Sequence, residues 1–189
     1  MMKEYVLSII LIAVRGPYSA PTYQVIKTFN AARQQIRVET HARLDMARLV
    51  KLRRNRWQRF MRVESRGVLL YKLRSYYLSH GFGARIGLVS LPPFVEPTGL
   101  WMAGMASRVC HPNGGLAWAT TEVKNSLGEP RLEQSRIAMA HELGHLIGAD
   151  HFPGFDSIMD TGALGLNPSE LRFKDISRYQ ITGCLWKKW

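Results

Sequence analysis

The residues most capable of chemistry in this sequence lie together in HELGHLIGADH, positions 141–151. His141 and His145 are four residues apart on a predicted helix, so both imidazoles project from one face, one turn apart. Two imidazoles at that spacing can bind one zinc ion at about 2.0–2.1 Å each. Gly148 can end the helix in a left-handed turn, which would let the chain bring His151 round as a third nitrogen ligand. The pattern therefore predicts a three-histidine metal site.

Glu142 gives this site its predicted reactivity. It lies about 100° round the helix from the first histidine, so it can reach a water on the metal without ligating the metal. Three protein ligands and one water are typical of a catalytic zinc ion rather than a structural one. Zinc would lower the pKa of that water and polarise a scissile carbonyl, while Glu142 took the water's proton and passed it to the leaving amine. The alternative, a chance cluster or a degenerate site, requires five fixed positions to coincide.

The elements that must position these residues are predicted from hydrophobic spacing. Apolar residues at every third or fourth position predict three helices, which run from Thr22 to about Ile36, from Arg131 to Gly148, and onward from about Asp175. Apolar runs and alternation predict strands at about 5–14, 37–44, 85–91, 99–106 and 116–123. Strand, helix and strand in succession form a parallel crossover unit. The order of elements predicts an α/β fold.

Length and charge limit the kinds of function. The chain has 189 residues, 46% of them hydrophobic, which suffices for one domain with a sizeable core. Its formal net charge of +12 is typical of proteins that contact nucleic acid, an anionic membrane or an acidic protein. Residues 43–74 supply most of that charge, with eleven lysines or arginines against two acids. We expect them to be mainly helical around a break near Gly67, and to form either a solvated helical face or an anion-binding surface.

The N-terminus and the cysteines restrict the class of protein further. MMKEYVLSIILIAV is either a short signal-peptide core or a buried strand, and a poor cleavage site beside the bulky Tyr18 favours the strand. No other segment is apolar for long enough to be a membrane span. The chain has two cysteines, Cys110 and Cys184. That number excludes a four-cysteine zinc site and a disulfide-dense scaffold.

The motif His141-Glu142-x-x-His145-x-x-Gly148-x-x-His151, followed by Ser157-Ile158-Met159-Asp160, resembles the extended zinc motif and Met-turn of the metzincin metallopeptidases. The resemblance implies that the three histidines ligate one catalytic zinc ion and that Glu142 is the general base. It also implies that Met159 lies beneath the three imidazoles. The predicted order of elements (strand, helix, strand, strand, edge strand, strand, zinc helix) fits that fold over nearly the whole chain.

Within this clan the sequence is most similar to the adamalysin and matrixin groups. GLWMAGMASRVC, at 99–110, resembles the adamalysin edge strand that leads into a cysteine, and LRFKDISRYQITGCL, at 171–185, resembles the final helix whose cysteine pairs with it. This implies a Cys110–Cys184 disulfide, with two unrelated buried thiols as the alternative. The resemblance also implies that the edge strand binds an extended substrate by strand addition and that the residues after the Met-turn form a pocket wall. The substrate-binding residues implied in this way are Leu100, Trp101, Met102, Ala103, Thr161, Gly162 and Ala163.

The sequence lacks several features of particular metzincin subfamilies, and these differences limit which subfamilies it can resemble. Thr161 stands where astacins and serralysins carry a zinc-ligating tyrosine, which disfavours both subfamilies. The cysteine-rich second zinc site of archaemetzincins and a cysteine-switch propeptide are both missing from the sequence. No Asp-rich calcium loop is evident, so calcium is not supported as a cofactor. The location stays open: a structural N-terminal strand slightly favours an intracellular protein, whereas a disulfide favours a secreted one.

The sequence thus predicts one α/β (α+β) metallopeptidase domain over residues 1–189, with a twisted, mixed, five-stranded sheet. Residues 1–148 would form an upper subdomain and residues 149–189 a smaller lower one. The predicted function is that of a monomeric zinc-dependent endopeptidase acting on peptides or unfolded protein segments. One alternative is an aminopeptidase on the same scaffold, although no acidic anchor for a free amine is evident. The other is an inactive zinc-containing protein that binds an anionic partner through residues 43–74.

Overall fold

The computed structural model describes residues 5–14, 20–52, 66–79, 86–91, 94–95, 101–107, 115–121, 131–154, 156–163 and 166–188. The strands in this part of the chain are β1 (Tyr5–Val14), β2 (Ala42–Leu52), β3 (Ile86–Leu91), β4 (Phe94–Val95), β5 (Trp101–Met102), β6 (Gly104–Ala106) and β7 (Leu116–Thr120). The helices are α1 (Thr22–Thr40), α2 (Arg66–Ser79), α3 (Leu132–Ile147) and α4 (Asp175–Lys188).

Five of the strands form one mixed sheet in the order β2-β1-β3-β7-β6. The strands β2, β1, β3 and β7 are parallel neighbours, and β6 pairs antiparallel with β7 at the edge of the sheet. Helix α3 packs against both β6 and β7. The predicted fold class, an α/β domain with a mixed five-stranded sheet, is confirmed.

From Ile9 to Val14, strand β1 is buried on both faces because helices cover both sides of the sheet. Its residues alternate between two hydrophobic cores. Ile9 and Leu11 belong to the core shared with α1 and α3, whereas Ile10 and Ile12 belong to the core shared with α2. This double burial explains why the N-terminal segment is a nearly continuous apolar run rather than an alternating one.

The prediction of a strand at 37–44 is wrong for its first five residues, because residues 37–40 belong to α1 and His41 caps that helix. The helix ends at His41, whose left-handed φ of 59° lets its N–H bond to the carbonyl of Arg37. Near this end Ile36 is buried and Val38 is exposed, because they lie on opposite faces of the helix. Over so few residues that difference imitates the alternation of a strand.

The basic segment 43–74 is helical over only part of its described length. Residues 43–52 lie in β2, so the helical expectation is wrong there, because β2 pairs with β1 along its full length and such pairing overrides local propensity. Residues 66–74 belong to α2, as expected, and Gly67 lies in the first turn of that helix. Residues 53–65 lie outside the described part of the chain.

The predicted fourth strand at 99–106 is divided into two short strands in its described part. β5 pairs with β4 in a small antiparallel hairpin, and β6 joins the main sheet. Between them the carbonyl of Ala103 accepts a hydrogen bond from the N–H of Thr120 at 2.7 Å. None of the described helices is both long and apolar enough to cross a bilayer.

Candidate metal centre

Helix α3 carries two of the three histidines and is held in place by its apolar side. Ile137, Ala140 and Leu143 are buried in the core that α3 shares with α1 and the sheet. His141 and His145 lie on another side of the helix and are half-buried. The helix therefore presents two imidazoles, one turn apart, at the surface of a rigid core.

Gly148 ends α3 and permits the turn that follows. Its φ is +125°, a conformation that side-chain-bearing residues rarely adopt. A Cβ at this position would also lie 2.6 Å from the Cβ of Cys184 on α4. Glycine is therefore required both for the turn of the chain and for the close approach of α4. The sequence pattern predicted the first of these requirements.

The turn brings His151 to the two histidines of α3. The Nε2 atoms of His141 and His145 are 3.1 Å apart, those of His145 and His151 are 3.1 Å apart, and those of His141 and His151 are 3.3 Å apart. A tetrahedral zinc ion bound at about 2.0–2.1 Å holds its nitrogen ligands roughly 3.3–3.4 Å apart. The three ring nitrogens thus have nearly the spacing of a zinc site, and these residues form a group able to hold a metal ion.

The other ring nitrogens fix the orientation of two imidazoles. The Nδ1–H of His141 donates to the carbonyl of Ile158, and that of His145 donates to the carbonyl of Ala149, each at 2.7 Å. A neutral imidazole that donates from Nδ1 has a lone pair on Nε2. The Nε2 lone pairs of these two rings therefore point into the space between the histidines, an arrangement that a bound cation would stabilise.

The protonation of the histidines also suits a metal. Burial, together with the neighbouring His145, lowers the pKa of His141 to about 4. Burial also lowers the pKa of His145. Both rings are consequently neutral near pH 7, which is the form that binds a metal ion.

Glu142 is buried against the edge strand β6. The residue is only 6% exposed, and its Oε2 has no hydrogen-bond partner among the described residues. Burial raises its pKa well above the ordinary value for glutamate. A Cβ at Gly104 would lie 2.5 Å from Oε1 of this carboxylate, so a glycine at this position of β6 leaves room for the side chain of Glu142.

Gly104 and Gly144 are two residues of the site that sequence reasoning missed. Gly144 lies between the two histidines of α3, where a Cβ would come within 2.8 Å of both the Sδ of Met159 and a ring carbon of Phe173. A glycine inside a strand or a helix interior weakens the element, so it often indicates that another group approaches closely. That signal was available at both positions.

Met159 lies beneath this helix, fully buried beside Gly144. Its segment is held to the chain before α4 by a bridge between Ser157 and Arg172, in which the N–H of Ile158 donates to Arg172 at 2.9 Å. The carbonyl of Ile158 in turn accepts the hydrogen bond from His141. The segment that resembles a Met-turn thus contacts a histidine through its backbone and α3 through Met159.

Asp160 closes the loop that carries the exposed residues Thr161 and Gly162. Its carboxylate accepts hydrogen bonds from the N–H of Gly154 at 2.9 Å and of Gly162 at 2.6 Å. These bonds lower the pKa of Asp160, because they favour its charged form. Of the three residues expected to line a pocket here, Thr161 and Gly162 are exposed and Ala163 is buried in the core.

The other expected site residues are described only in part. Trp101 and Met102 form β5, Ala103 is half-buried between β5 and β6, and Leu100 lies outside the described residues. Cys184, on α4, is disulfide-bonded. Because Cys110 lies outside the described residues, its pairing with Cys184 stays a prediction.

Comparison with known proteins identifies a fold rather than a family. No protein-family model matches the chain, and no curated protein sequence matches it. Among solved structures, metalloproteinase-II from Bacteroides fragilis is similar, with a TM-score of 0.61 and 16% identity over 96% of this chain and 53% of that protein. The chain therefore spans about half the length of that structure.

Two other solved structures are similar along nearly their whole length. Archaemetzincin from Methanopyrus kandleri gives a TM-score of 0.60 and 18% identity over 95% of this chain and 96% of its own. A zinc-dependent peptidase from Methanocorpusculum labreanum gives a TM-score of 0.57 and 13% identity over 92% and 99% of the two chains. At such low identity these similarities show that the chain has a metzincin-like fold.

Proposed function

We propose that this protein is a zinc-dependent endopeptidase whose zinc ligands are His141, His145 and His151. The observation that carries the proposal is the convergence of three Nε2 atoms within 3.3 Å of one another while two of the rings donate from Nδ1 to backbone carbonyls. If the three rings were held together by hydrogen bonds alone, an N–H of one ring would face the lone pair of the next. The metzincin-like fold supports the same assignment.

Bound zinc would supply a Lewis acid that lowers the pKa of water and polarises a carbonyl group. The chain's own contribution to the reaction is the carboxylate of Glu142. It accepts a proton from the attacking water and delivers that proton to the nitrogen of the departing amine. Burial raises the pKa of Glu142, so this environment favours the protonated state through which the carboxylate must pass between the two transfers.

We assign substrate binding to the edge of the sheet and to the loop after Met159. β6 pairs with β7 on one side, and no strand covers its other side among the described residues. An extended peptide could add there as a further strand. Residues 100–103 precede β6 and would continue that binding edge, and the exposed Thr161 and Gly162, with Ala163 behind them, would form one wall of a pocket.

We further propose the division of the chain and its place among the metzincins. Residues 1–148 would form the upper subdomain and residues 149–189 the lower one, with Met159 in a Met-turn. The disulfide bond of Cys184 and the non-ligating Thr161 favour the adamalysin and matrixin groups. Cys110 would be the partner of that bond.

The test is cleavage of a pool of unstructured, end-blocked peptides by purified, zinc-loaded protein, with cuts mapped by mass spectrometry. We expect internal cuts by the wild type and a loss of roughly 10²–10⁴-fold in rate for Glu142→Gln, the usual contribution of a general base. Glu133→Gln is the matched control, since it makes the same change on an exposed part of the same helix.

Other outcomes would replace the proposal with one of two alternatives. Cuts confined to peptides with a free N-terminus would indicate an aminopeptidase. Zinc binding without any cleavage by the wild type would indicate a binding protein that retains the ion for its structure.

A further inference from the structure

The third proposed zinc ligand, His151, is held in place differently from the other two. His141 and His145 belong to α3, and each donates from Nδ1 to a backbone carbonyl. His151 lies on an exposed segment after the helix, and among the described residues no carbonyl accepts a bond from its Nδ1. The position of its ring therefore depends on the chain on either side of it.

Helix α4 holds the chain before His151. The N–H of Asp150 donates to Oε1 of Gln180 at 3.0 Å, and the side-chain amide of Gln180 donates back to Oδ2 of Asp150 at 3.3 Å. Gly148 packs so closely on Cys184 of the same helix that a Cβ would not fit between them. The segment is thus attached to α4 as far as Asp150.

Asp160 holds the chain after His151. Its Oδ2 accepts the N–H of Gly154 at 2.9 Å, and its Oδ1 accepts the N–H of Gly162 at 2.6 Å. Gly154 follows the histidine by three residues, whereas Gly162 belongs to residues 156–163, the Met159 segment. One carboxylate therefore joins the chain that carries the histidine to the far end of the Met159 segment.

The two bonds require a carboxylate rather than an amide. Both oxygens of an ionised aspartate accept hydrogen bonds, and bonds to an ionised acceptor are roughly twice as strong as those between neutral groups. An asparagine at position 160 would turn its own NH₂ group towards one of the two N–H donors, so that one bond would be lost. The amide would keep the size of the side chain while it breaks the link.

The other described bonds between the two segments join backbone groups. The N–H of Phe152 donates to the carbonyl of Met159 at 3.1 Å, and the N–H of Ser157 donates to the carbonyl of Gly154 at 2.9 Å. Neither has a charged acceptor. Among these bonds, those of Asp160 are consequently the ones that a substitution can remove without a change to the backbone.

We propose that Asp160 is a positioning residue for the zinc site, because it holds the chain after His151 against the Met159 segment. This role rests on the proposed function, since it takes His151 as a zinc ligand. Asp160 acts through the backbone of Gly154 and not as a ligand itself. The same carboxylate also fixes Gly162, so it connects the third ligand to the proposed wall of the substrate pocket.

The first test is the zinc affinity of Asp160→Asn, measured by competition with a fluorescent chelator. We expect the affinity to fall roughly 10–100-fold, the usual effect of removing a residue that supports a metal ligand. The loss should be smaller than that caused by His151→Ala, which removes the ligand itself.

Asp150→Asn controls for the loss of a negative charge near the ion. The carboxylate of Asp150 acts electrostatically on His145, as that of Asp160 does on the other two histidines. Asp150 is exposed, and an asparagine there keeps an oxygen that can accept from Gln180. Its zinc affinity should stay within about threefold of the wild type, because salt screens the interactions of exposed charges.

A second measurement uses the wild type alone and remains decisive if Asp160→Asn does not fold. If the bonds of Asp160 favour zinc binding, zinc must in turn favour those bonds, because coupling between two equilibria is reciprocal. Amide exchange followed by NMR should therefore slow at Gly154 and Gly162 when zinc is added to the metal-free protein, by about 5–150-fold. The amide of Leu11, in the centre of the sheet, should not respond.

The outcomes distinguish a failure of this role from a failure of the proposed function. If the wild type binds zinc and cuts peptides while Asp160→Asn keeps its zinc affinity, Asp160 does not position the site. Equal weakening in Asp160→Asn and Asp150→Asn would show that charge alone matters and would also overturn the role. So would exchange at Gly154 and Gly162 that ignores zinc. Absence of zinc binding by the wild type would overturn the proposed function, and this role with it.

Discussion

At the residue scale, His151 is the proposed ligand whose position depends on a loop rather than on a helix. Its imidazole is exposed and lies within 3.1–3.3 Å of the Nε2 atoms of the other two histidines. His151→Ala should reduce zinc affinity by more than the roughly 10–100-fold that loss of a supporting residue around a metal costs. Competition with a fluorescent zinc chelator measures that affinity directly.

The control for this change is a histidine outside the group. His41 has a left-handed backbone that asparagine tolerates, so His41→Asn should keep both its fold and its zinc affinity. If His151→Ala bound zinc as tightly as this control, His151 would not be a ligand. The spacing of the motif would then have predicted the wrong chemistry for its third histidine.

Gly104 provides a test of Glu142 that leaves the metal ligands unchanged. In Gly104→Ala the new Cβ would lie 2.5 Å from Oε1 and 2.6 Å from Cγ of Glu142, so the whole side chain of Glu142 would have to move. We expect the fold and zinc content to persist while kcat/KM for an end-blocked peptide falls by about 10²-fold or more, because the proposed general base is displaced.

Gly183→Ala is the matched control for that substitution. Gly183 lies within α4, and a Cβ there would meet nothing within 4 Å. It should leave activity unchanged and stabilise the protein by roughly 0.5–1 kcal/mol, since alanine is the better helix former. Unchanged activity in Gly104→Ala would mean that Glu142 has no catalytic role in the position observed.

Some contacts of individual residues at the site could be predicted from the sequence, and others could not. The three histidines lie within eleven positions, so helical geometry and one glycine turn suffice to bring them together. Gly104 and Glu142 come from a strand and a helix far apart in the sequence. Their contact depends on how β6 packs against α3, which no local pattern specifies.

At the element scale, Glu39 connects α1 to the chain before α4. Its Oε2 accepts the N–H of Phe173 at 2.7 Å, and its Oε1 accepts the side-chain amide of Gln35 at 2.9 Å. Gln35 also donates to the carbonyl of Leu171 at 3.0 Å. Because the side chain of Glu39 is only 11% exposed, Glu39→Ala leaves these donors poorly solvated. We expect the free energy of unfolding to fall by about 1–3 kcal/mol in urea denaturation.

Glu170→Ala provides the comparison for this prediction. Glu170 is exposed, and among the described residues its carboxylate accepts a hydrogen bond from the neighbouring Asn167. Its loss should change the free energy of unfolding by less than about 0.5 kcal/mol. Equal losses in the two variants would show that Glu39 does not join α1 to the C-terminal segment.

The order of elements was predictable, whereas some of their boundaries were not. A nearly continuous apolar run identified β1, and apolar residues at helical spacing identified α1 and α3, because each of these elements buries one or more faces in a core. The prediction failed within residues 37–52. Over only a few residues, the end of a helix can show the same alternation of buried and exposed side chains as the start of a strand. The boundary depends on His41 adopting a left-handed turn and on β2 pairing with β1.

At the scale of the whole molecule, a bound zinc ion would link two parts of the chain that α3 alone does not hold together. His141 and His145 belong to a helix embedded in the core, whereas His151 belongs to the chain that leads into the Met159 segment. Without a cation, converging Nε2 lone pairs repel one another and His151 can turn away. A ligand that binds only the folded protein stabilises it by about 4 kcal/mol at a thousandfold excess over its Kd.

Zinc removal should therefore loosen one side of the site more than the other. After chelation with 1,10-phenanthroline, hydrogen–deuterium exchange should quicken in peptides that cover 149–163, where the N–H of Phe152 bonds to Met159 and that of Ile158 bonds to Arg172. Peptides from β1 and β3 should exchange as slowly as before, because their hydrogen bonds lie within the sheet between two cores. Zinc added back should restore protection, whereas magnesium should not. A uniform rise across the chain would instead show that the ion supports the whole fold, and the histidine group would then be a structural site despite its three-ligand geometry.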